Sequence, residues 1–314
     1  MSTRIPKTLI GTLEKQKYHL IGSHSAVKGC KWLHEALVNG RSCYKQKFYG
    51  IKSHQCIQMT PSLFYCTQQC LFCWRPQKSD LQIKFDETTL PTHDDPEMIV
   101  RETLAAQNKI LAGYKGNVKT DFDKFRESYT PKHIAISLTG EPTLYQPLGQ
   151  LIEKFREKGL TTFLVSNGTL PSGILELGTE PTQLYISCCA PNEAVYKKIC
   201  RPQVSKAWQK VNETLKSLPN FRCPTVIRIT LVKGINMDHF QEYANLLDKA
   251  NPTYIEAKAY MHVGFSNLRL GFDRMPSHED VSAFAQRLAE ATSYNIINES
   301  KESRVVLLSK RKKV

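Results

Sequence analysis

The chain has 314 residues, room for one large domain with appendages and a sizeable core. Its 41% apolar content is ordinary for a soluble globular protein; no apolar stretch approaches the roughly 18 residues of a membrane-spanning helix, and the polar start, Met1 to Tyr18, lacks a signal-peptide core, so a cytoplasmic location is expected. Lys and Arg number 43 against 29 Asp and Glu, and the net charge of +14 points to a polyanion such as nucleic acid or to a solvated basic surface, while ten cysteines in such a chain read as metal or catalytic residues and not as a disulfide framework.

Residues 1–55 form an N-terminal extension carrying Cys30 and Cys43. With Cys56 these are evenly spaced, 12 residues in each gap. No standard zinc site has that spacing. The three are either buried thiols that behave as small apolar side chains or the ligands of a cluster with one open iron. From 56 to 262, short apolar runs alternate with helical periodicity, the pattern of β/α units. Strands are expected at Cys56–Tyr65, His133–Leu138, Thr161–Ser166, Gln183–Ser187, Thr225–Val232 and Thr253–Lys258. Asp95-Pro96 caps and starts a helix running to about Ala112. Leu148, Leu151, Ile152 and Phe155 share one helical face, as do Phe240, Tyr243, Ala244 and Leu247. Residues 113–130 are a polar insertion, read as a substrate-contacting flap or a surface loop. The fold class expected is α/β, a partial (β/α)6 TIM-like barrel whose reactive groups gather at the C-terminal strand ends. Residues 263–314 form a C-terminal extension, with a helix after Pro276-Ser277 that carries Val281, Phe284, Ala285 and Leu288 on one face. The basic run Ser309-Lys310-Arg311-Lys312-Lys313 reads as a phosphate-contacting arm or an unstructured end.

The first strand runs into Cys66-Thr67-Gln68-Gln69-Cys70-Leu71-Phe72-Cys73-Trp74. Three thiolates on one short loop hold three irons of a [4Fe–4S] cluster, whose usual form takes four, and leave the last iron open. Zinc sites instead show paired C-x2-C units and four ligands. After the second strand stands Thr139-Gly140-Glu141-Pro142-Thr143, after the third Ser166-Asn167-Gly168, and at the end of the fourth Ser187. Each of these is also a plausible strand-ending turn. Cys188 and Cys189 alternate faces and do not easily serve one metal, so with Cys200 and Cys223 they read as structural thiols.

The cysteine spacing, with Phe72 before the last Cys, resembles the radical S-adenosylmethionine (SAM) superfamily. The resemblance implies that the open iron chelates the amino and carboxylate groups of SAM, and that an electron from the cluster cleaves SAM to a 5′-deoxyadenosyl radical. Gly140, Glu141, Pro142 and Thr143 then match the element that contacts the SAM amino group, Asn167 with Ser166 faces its ribose or carboxylate, and Ser187 its ribose. Related enzymes often carry an acidic residue just beyond that fourth strand, where this chain has Cys188-Cys189-Ala190-Pro191.

A more specific resemblance runs from about residue 22 to 308. Cys43-Tyr44-Lys45-Gln46-Lys47-Phe48-Tyr49-Gly50-Ile51, His54-Gln55-Cys56-Ile57-Gln58, Thr60-Pro61-Ser62 and Cys73-Trp74-Arg75 resemble the wybutosine-pathway 4-demethylwyosine synthases, as do Ile136 to Tyr145, Pro181 to Ser187 and Tyr260-Met261-His262-Val263-Gly264. The eukaryotic members carry a flavodoxin-like domain, so the chain is similar to the short archaeal type, and an external one-electron donor of flavodoxin or ferredoxin type is expected. The resemblance implies a tRNA-Phe substrate whose anticodon-loop N1-methylguanosine condenses with two carbons of pyruvate to a tricyclic base. The deoxyadenosyl radical would abstract hydrogen from the N-methyl group, and the resulting methylene radical would attack pyruvate. A Cys30/Cys43/Cys56 cluster would position pyruvate or return an electron, beside a Lys forming a Schiff base with it: Lys45 first, beside Cys43, then Lys47 and Lys258. Arg75, Tyr114, Lys115 and the 258–270 segment are expected at the RNA, and Trp74 either stacks on a base or packs on the cysteine loop. The competing readings are a radical SAM enzyme with another nucleic-acid or small-molecule substrate, and a metal-stapled nucleic-acid-binding protein.

Overall fold

The computed structural model describes residues 7–310; Arg311, Lys312 and Lys313 of the basic run lie outside the described residues. The chain divides into two compact units, the first comprising 1–65, 84–165 and 176–182, the second 66–83, 166–175 and 183–314.

In the first unit the elements are α1 (Lys7–Lys15), β1 (Tyr18–Ile21), β2 (Ser25–Lys28), α2 (Lys31–Val38), α3 (Tyr44–Tyr49), β3 (Cys56–Thr60), α4 (Pro96–Ala112), α5 (Phe122–Ser128), β4 (His133–Ile136), α6 (Leu148–Glu157) and β5 (Thr161–Ser166). The strands lie in the order β1-β2-β3-β4-β5. β3, β4 and β5 are parallel, with Cys56 opposite His133 and His133 opposite Thr161. β1 and β2 form an antiparallel hairpin on the edge of β3, so the N-terminal extension adds to the sheet. α4 packs over β2 and against α6, and Asp95 caps it by accepting from the Met98 N–H at 2.8 Å. The polar insertion is not only loop: it contains α5, whose Phe125 joins Leu33, Leu37 and Leu111 in a small core beside Cys30 and Tyr114.

Two expected strands stop early. Pro61 cannot donate to a ladder, so β3 ends at Thr60 instead of Tyr65. The N–H groups of Ser137 and Leu138 both turn back to the Met59 carbonyl at 3.1 Å, which ends β4 at Ile136.

The second unit holds α7 (Ser172–Leu175), β6 (Gln183–Ser187), α8 (Glu193–Cys200), α9 (Ala207–Ser217), β7 (Thr225–Leu231), α10 (Phe240–Ala250), β8 (Tyr254–Ala259), α11 (His278–Glu290), β9 (Asn295–Ser300) and β10 (Val305–Ser309). Its strand order is β6-β7-β8-β10-β9. β6, β7 and β8 are parallel; β10 returns antiparallel to β8 and pairs with β9. The parallel strands are almost wholly buried on both faces, as crossover helices require. Ser277 and Asp280 close a reciprocal cap on α11. No helix among the described residues is long and apolar enough to cross a membrane.

One buried histidine anchors the first unit's loops. The Asp94 N–H donates to His24 Nε2 at 2.9 Å, so Nδ1 carries the proton and donates to the Pro61 carbonyl at 2.6 Å. The ring is neutral in that arrangement, and burial lowers its pKa against the opposing pull of Asp94, with His93 adding to the lowering. A depressed folded-state pKa means that the unfolded chain takes up the proton first as pH falls. His24 therefore contributes stability above about pH 6.5 that is lost progressively below it. Denaturant midpoints measured from pH 7.5 down to 5 should fall more steeply for the unaltered chain than for His24→Gln; parallel slopes would contradict the assignment.

Candidate active site

The cysteine loop lies within the second unit. It has no helix or strand of its own, so its backbone groups must find partners elsewhere. The Gln69 N–H donates to the Cys200 carbonyl (3.2 Å) and the Leu71 N–H to that of Ile199 (2.9 Å), while the Gln203 N–H donates to Thr67 O at 2.8 Å. Gln77 Nε2 donates to Cys70 O at 2.8 Å and Arg75 Nη2 to Gln68 O at 2.8 Å. Arg269 Nε donates to Leu71 O at 3.2 Å, and its Nη2 to Cys73 O. Arg75, expected at the RNA, is instead 2% exposed and clamps this loop.

Two guanidiniums pull the thiols of this loop toward the thiolate, against burial. Burial pushes the Cys73 thiol up, and the Arg75 and Arg269 guanidiniums pull it down. Cys70 is lowered, first by a hydrogen bond from Cys200 and then, against burial, by Arg75 and Arg269. Cys200, read from the sequence as a structural thiol, thus touches a candidate ligand; nothing in its own neighbourhood of sequence marks it. Asn167 Nδ2 reaches Thr67 Oγ1 at 2.9 Å and Cys66 Sγ at 3.7 Å, and its Oδ1 accepts from Thr169 N and Oγ1. Its side chain therefore ties the turn after β5 to the cysteine loop. Ser166 is buried, its Oγ accepting from Gly168 N at 3.0 Å, and Ser187 is half-buried at the end of β6.

The Gly140–Thr143 turn lies in the first unit. Gly140 has φ +73, and a Cβ there would overlap the Ser62 carbonyl oxygen and sit 2.6 Å from that of Tyr65. The Glu141 N–H donates to Tyr65 O at 2.8 Å, which fixes the turn against the residue preceding Cys66. Glu141 is 1% exposed, and its Oε1 accepts from Thr143 Oγ1 at 2.6 Å and Thr143 N at 3.2 Å. Pro142 and Thr143 are buried with it.

The same unit gathers Cys30, Cys43, Cys56 and Lys45. Cys30 stands at the N-cap of α2, its carbonyl oxygen accepting from the Leu33 N–H at 3.0 Å. Cys43 caps α3, its N–H donating to Ser53 Oγ at 2.8 Å. Cys56 opens β3 and is pushed up to about 12 by burial, then by Cys30 and Cys43, with Lys45 opposing. Burial also raises Cys30, again opposed by Lys45. Four groups spread over 27 residues of sequence thus share one neighbourhood. Lys45 is half-buried, its Nζ 5.3 Å from the Phe163 ring centroid. Lys47, one turn-half further on α3, is exposed. Lys258 lies on β8 in the other unit, its Nζ donating to Ser303 O at 2.8 Å.

No three His, Cys, Asp or Glu side chains among the described residues converge as a single metal ion needs. A cluster differs, because each thiol takes a separate iron. Both cysteine sets fit such a group: each is buried or half-buried and has at least one cationic side chain in electrostatic reach.

Residues 61–247 match the model of the radical SAM superfamily, and residues 249–310 that of wyosine base formation. The chain belongs to the radical SAM tRNA 4-demethylwyosine synthase family. It is 48% identical over 309 residues to the S-adenosyl-L-methionine-dependent tRNA 4-demethylwyosine synthase of Pyrococcus abyssi, spanning 97% of this chain and 89% of that one. The corresponding Homo sapiens protein is 38% identical over 98% of this chain but only 42% of its own length, so the likeness is to the shorter, archaeal form. A solved structure of TYW1 with a lysine–pyruvate adduct bound superposes with a TM-score of 0.88 at 40% identity, covering 99% of this chain and 98% of that one. The fold is accordingly the α/β radical SAM fold with a mostly parallel sheet, as expected from the β/α pattern. The activity is 4-demethylwyosine synthesis, with a [4Fe–4S] cluster and SAM as the superfamily's cofactors.

Gly140→Ala should cost at least about 2 kcal/mol, since it adds left-handed strain to a carbonyl overlap. The check is the denaturant midpoint and SAM binding of the variant against Gly159→Ala, where φ is +76 but no atom lies within 4 Å of the added Cβ. Equal losses at the two positions would show that strain alone, and not the close approach to Ser62 and Tyr65, sets the cost.

Proposed function

We propose that this chain condenses N1-methylguanosine of tRNA-Phe with two carbons of pyruvate, using Lys45 to hold the ketoacid. The observation that supports this most is the gathering of Lys45 with Cys30, Cys43 and Cys56 in one neighbourhood of the first unit, alongside a relative of the same fold solved with a lysine–pyruvate adduct. In this reading Cys66, Cys70 and Cys73 bind one cluster, and Cys30, Cys43 and Cys56 bind a second. Gly140, Glu141, Pro142, Thr143, Ser166, Asn167 and Ser187 serve the SAM site. A SAM molecule held by these residues would supply a 5′-deoxyadenosyl radical, the chemistry needed to take hydrogen from the N-methyl group.

The chain's own residues hold and position the ketoacid. The Lys45 amine attacks the ketone carbon of pyruvate and water leaves, giving an imine that holds the ketoacid in place. Half-burial against Phe163 limits the water that would hydrolyse that imine. Lys258 is already engaged by Ser303 O and Lys47 faces solvent, which favours Lys45 for this role. The net charge of +14 suits a polyanion, whose phosphate contacts make affinity salt-dependent. An anticodon-loop base is partly unstacked already, which lowers the cost of presenting it. An external one-electron donor of flavodoxin or ferredoxin type supplies the reducing equivalents.

The deciding assay combines anaerobically reconstituted protein, SAM, dithionite, pyruvate and N1-methylated tRNA-Phe, with nucleosides read by mass spectrometry. A tricyclic product that disappears without pyruvate is expected; SAM cleavage without a modified base would move the substrate assignment elsewhere. Two clusters predict about eight irons and eight sulfides per chain. Borohydride should trap labelled pyruvate on the unaltered chain and on Lys47→Ala and Lys258→Ala, and fail on Lys45→Ala. Trapping that survives Lys45→Ala removes that residue from the mechanism.

A further inference from the structure

We propose that Arg269 is the positioning residue of the cysteine loop: its guanidinium holds the loop backbone in the shape that presents three thiolates, and its charge, balanced by Asp80, sets how readily a cluster held there accepts an electron. The inference rests on the reading that Cys66, Cys70 and Cys73 are the ligands.

The geometry is that of a fork spent entirely on one loop. Nη1 pairs with Asp80 Oδ2, Nη2 donates to Cys73 O and lies 3.5 Å from Arg75 O, and Nε donates to Leu71 O at 3.2 Å. Both charged side chains are inside, Arg269 at 6% and Asp80 at 5% exposure. The carbonyls of Leu71 and Cys73 lie on the stretch that carries the last two thiols, and no strand or helix satisfies them. A planar guanidinium has donors spaced to reach several oxygens at once, whereas a lysine has three donors at a single point.

Arg269 is itself held against this loop. The Phe265 N–H donates to Trp74 O at 3.1 Å, and the Arg269 N–H donates to Ser266 O at 3.0 Å. Gly264 has φ +61, and a Cβ there would sit 2.6 Å from Trp74 O. Only a residue without a side chain lets the segment approach so closely. The arginine is thus delivered to the radical SAM loop by the part of the chain that matches wyosine base formation.

Charge gives the idea its second consequence. In a buried site, unit charges act over several ångströms with little screening. Removing Asp80's charge leaves the cation unopposed and favours the reduced, more negative cluster; removing Arg269's charge does the reverse.

The test uses reconstituted full-length Arg269→Gln, Arg269→Lys and Asp80→Asn, with a potentiometric titration followed by electron paramagnetic resonance. The signal that changes on adding SAM identifies the cluster in question. Asp80→Asn should raise its midpoint potential and Arg269→Gln lower it, each by about tenfold in the reduction equilibrium, or 59 mV for a one-electron couple. Arg269→Lys should keep the potential nearer the unaltered value than Arg269→Gln does while losing at least half of the SAM-sensitive signal. Variants that load iron normally and leave the potential unmoved would overturn the proposal. Should Arg269→Gln fail to fold, Asp80→Asn alone decides by the direction of its shift. A SAM-sensitive signal that persists when Cys66, Cys70 and Cys73 are all changed to Ala would instead sink the ligand reading beneath it.

Discussion

Three thiols presented from one short loop impose a backbone problem, and hydrogen bonds from distant parts of the second unit answer it. A loop that turns tightly enough to aim Cys66, Cys70 and Cys73 cannot run as helix or strand, so its carbonyls and N–H groups are left without ladder partners. Each buried orphan would cost about 1–3 kcal/mol. The chain instead brings donors and acceptors from far along the sequence: Ile199 and Cys200 from the end of α8, Gln203 from just beyond it, Asn167 from the turn after β5, and Arg269 from beyond β8. These residues come from three different β/α units, so the loop's shape depends on the register of several strands at once.

The first unit meets a related constraint at the turn after β3. Thr60 Oγ1 donates to Thr139 O at 2.6 Å, Leu63 N to His24 O at 2.7 Å, and Glu141 N to Tyr65 O at 2.8 Å. Phe64 holds φ at +74, an unusual value for an aromatic residue. These contacts over-determine the backbone just before Cys66 and lock the Gly140–Thr143 turn to it. The N-terminal hairpin takes part through His24, which explains physically why an extension outside the β/α repeat is built against the first parallel strand.

The legible part of the chain was the part with local periodicity or dense motif chemistry. β5 and β6 match their expected limits because apolar runs end at Ser166 and Ser187, and α4 starts where Asp95-Pro96 says it should. The cysteine triads and the Gly140 turn stand out in the sequence because their residue types are scarce and their spacing is short or regular. β1 and β2, four residues each, and the antiparallel pair β9 and β10 were not named, since such short or continuous runs carry no period that separates strand from loop. Arg75 was expected at the RNA, where a basic side chain suits phosphate. Its burial follows from carbonyls that only the folded loop orphans, and neither Arg269 nor Cys200 has any sequence neighbour that hints at Cys70 or Cys73.

The choice of arginine inside the second unit follows from the same physics. Three thiolates concentrate negative charge in a buried place, and a lysine there would tend to shed its proton to escape desolvation. Guanidinium stays charged, so Arg75 and Arg269 can favour thiolates while still donating to carbonyls, and Asp80 keeps the second of them from being an uncompensated buried cation. Because Arg75 comes from the radical SAM part of the chain and Arg269 from the wyosine-forming part, the two are not separable modules laid end to end. The later segment completes the electrostatics and the hydrogen bonding of the earlier one. A chain that kept only residues 61–247 would retain every cysteine of the loop and lose the donor that holds Leu71 and Cys73 in place.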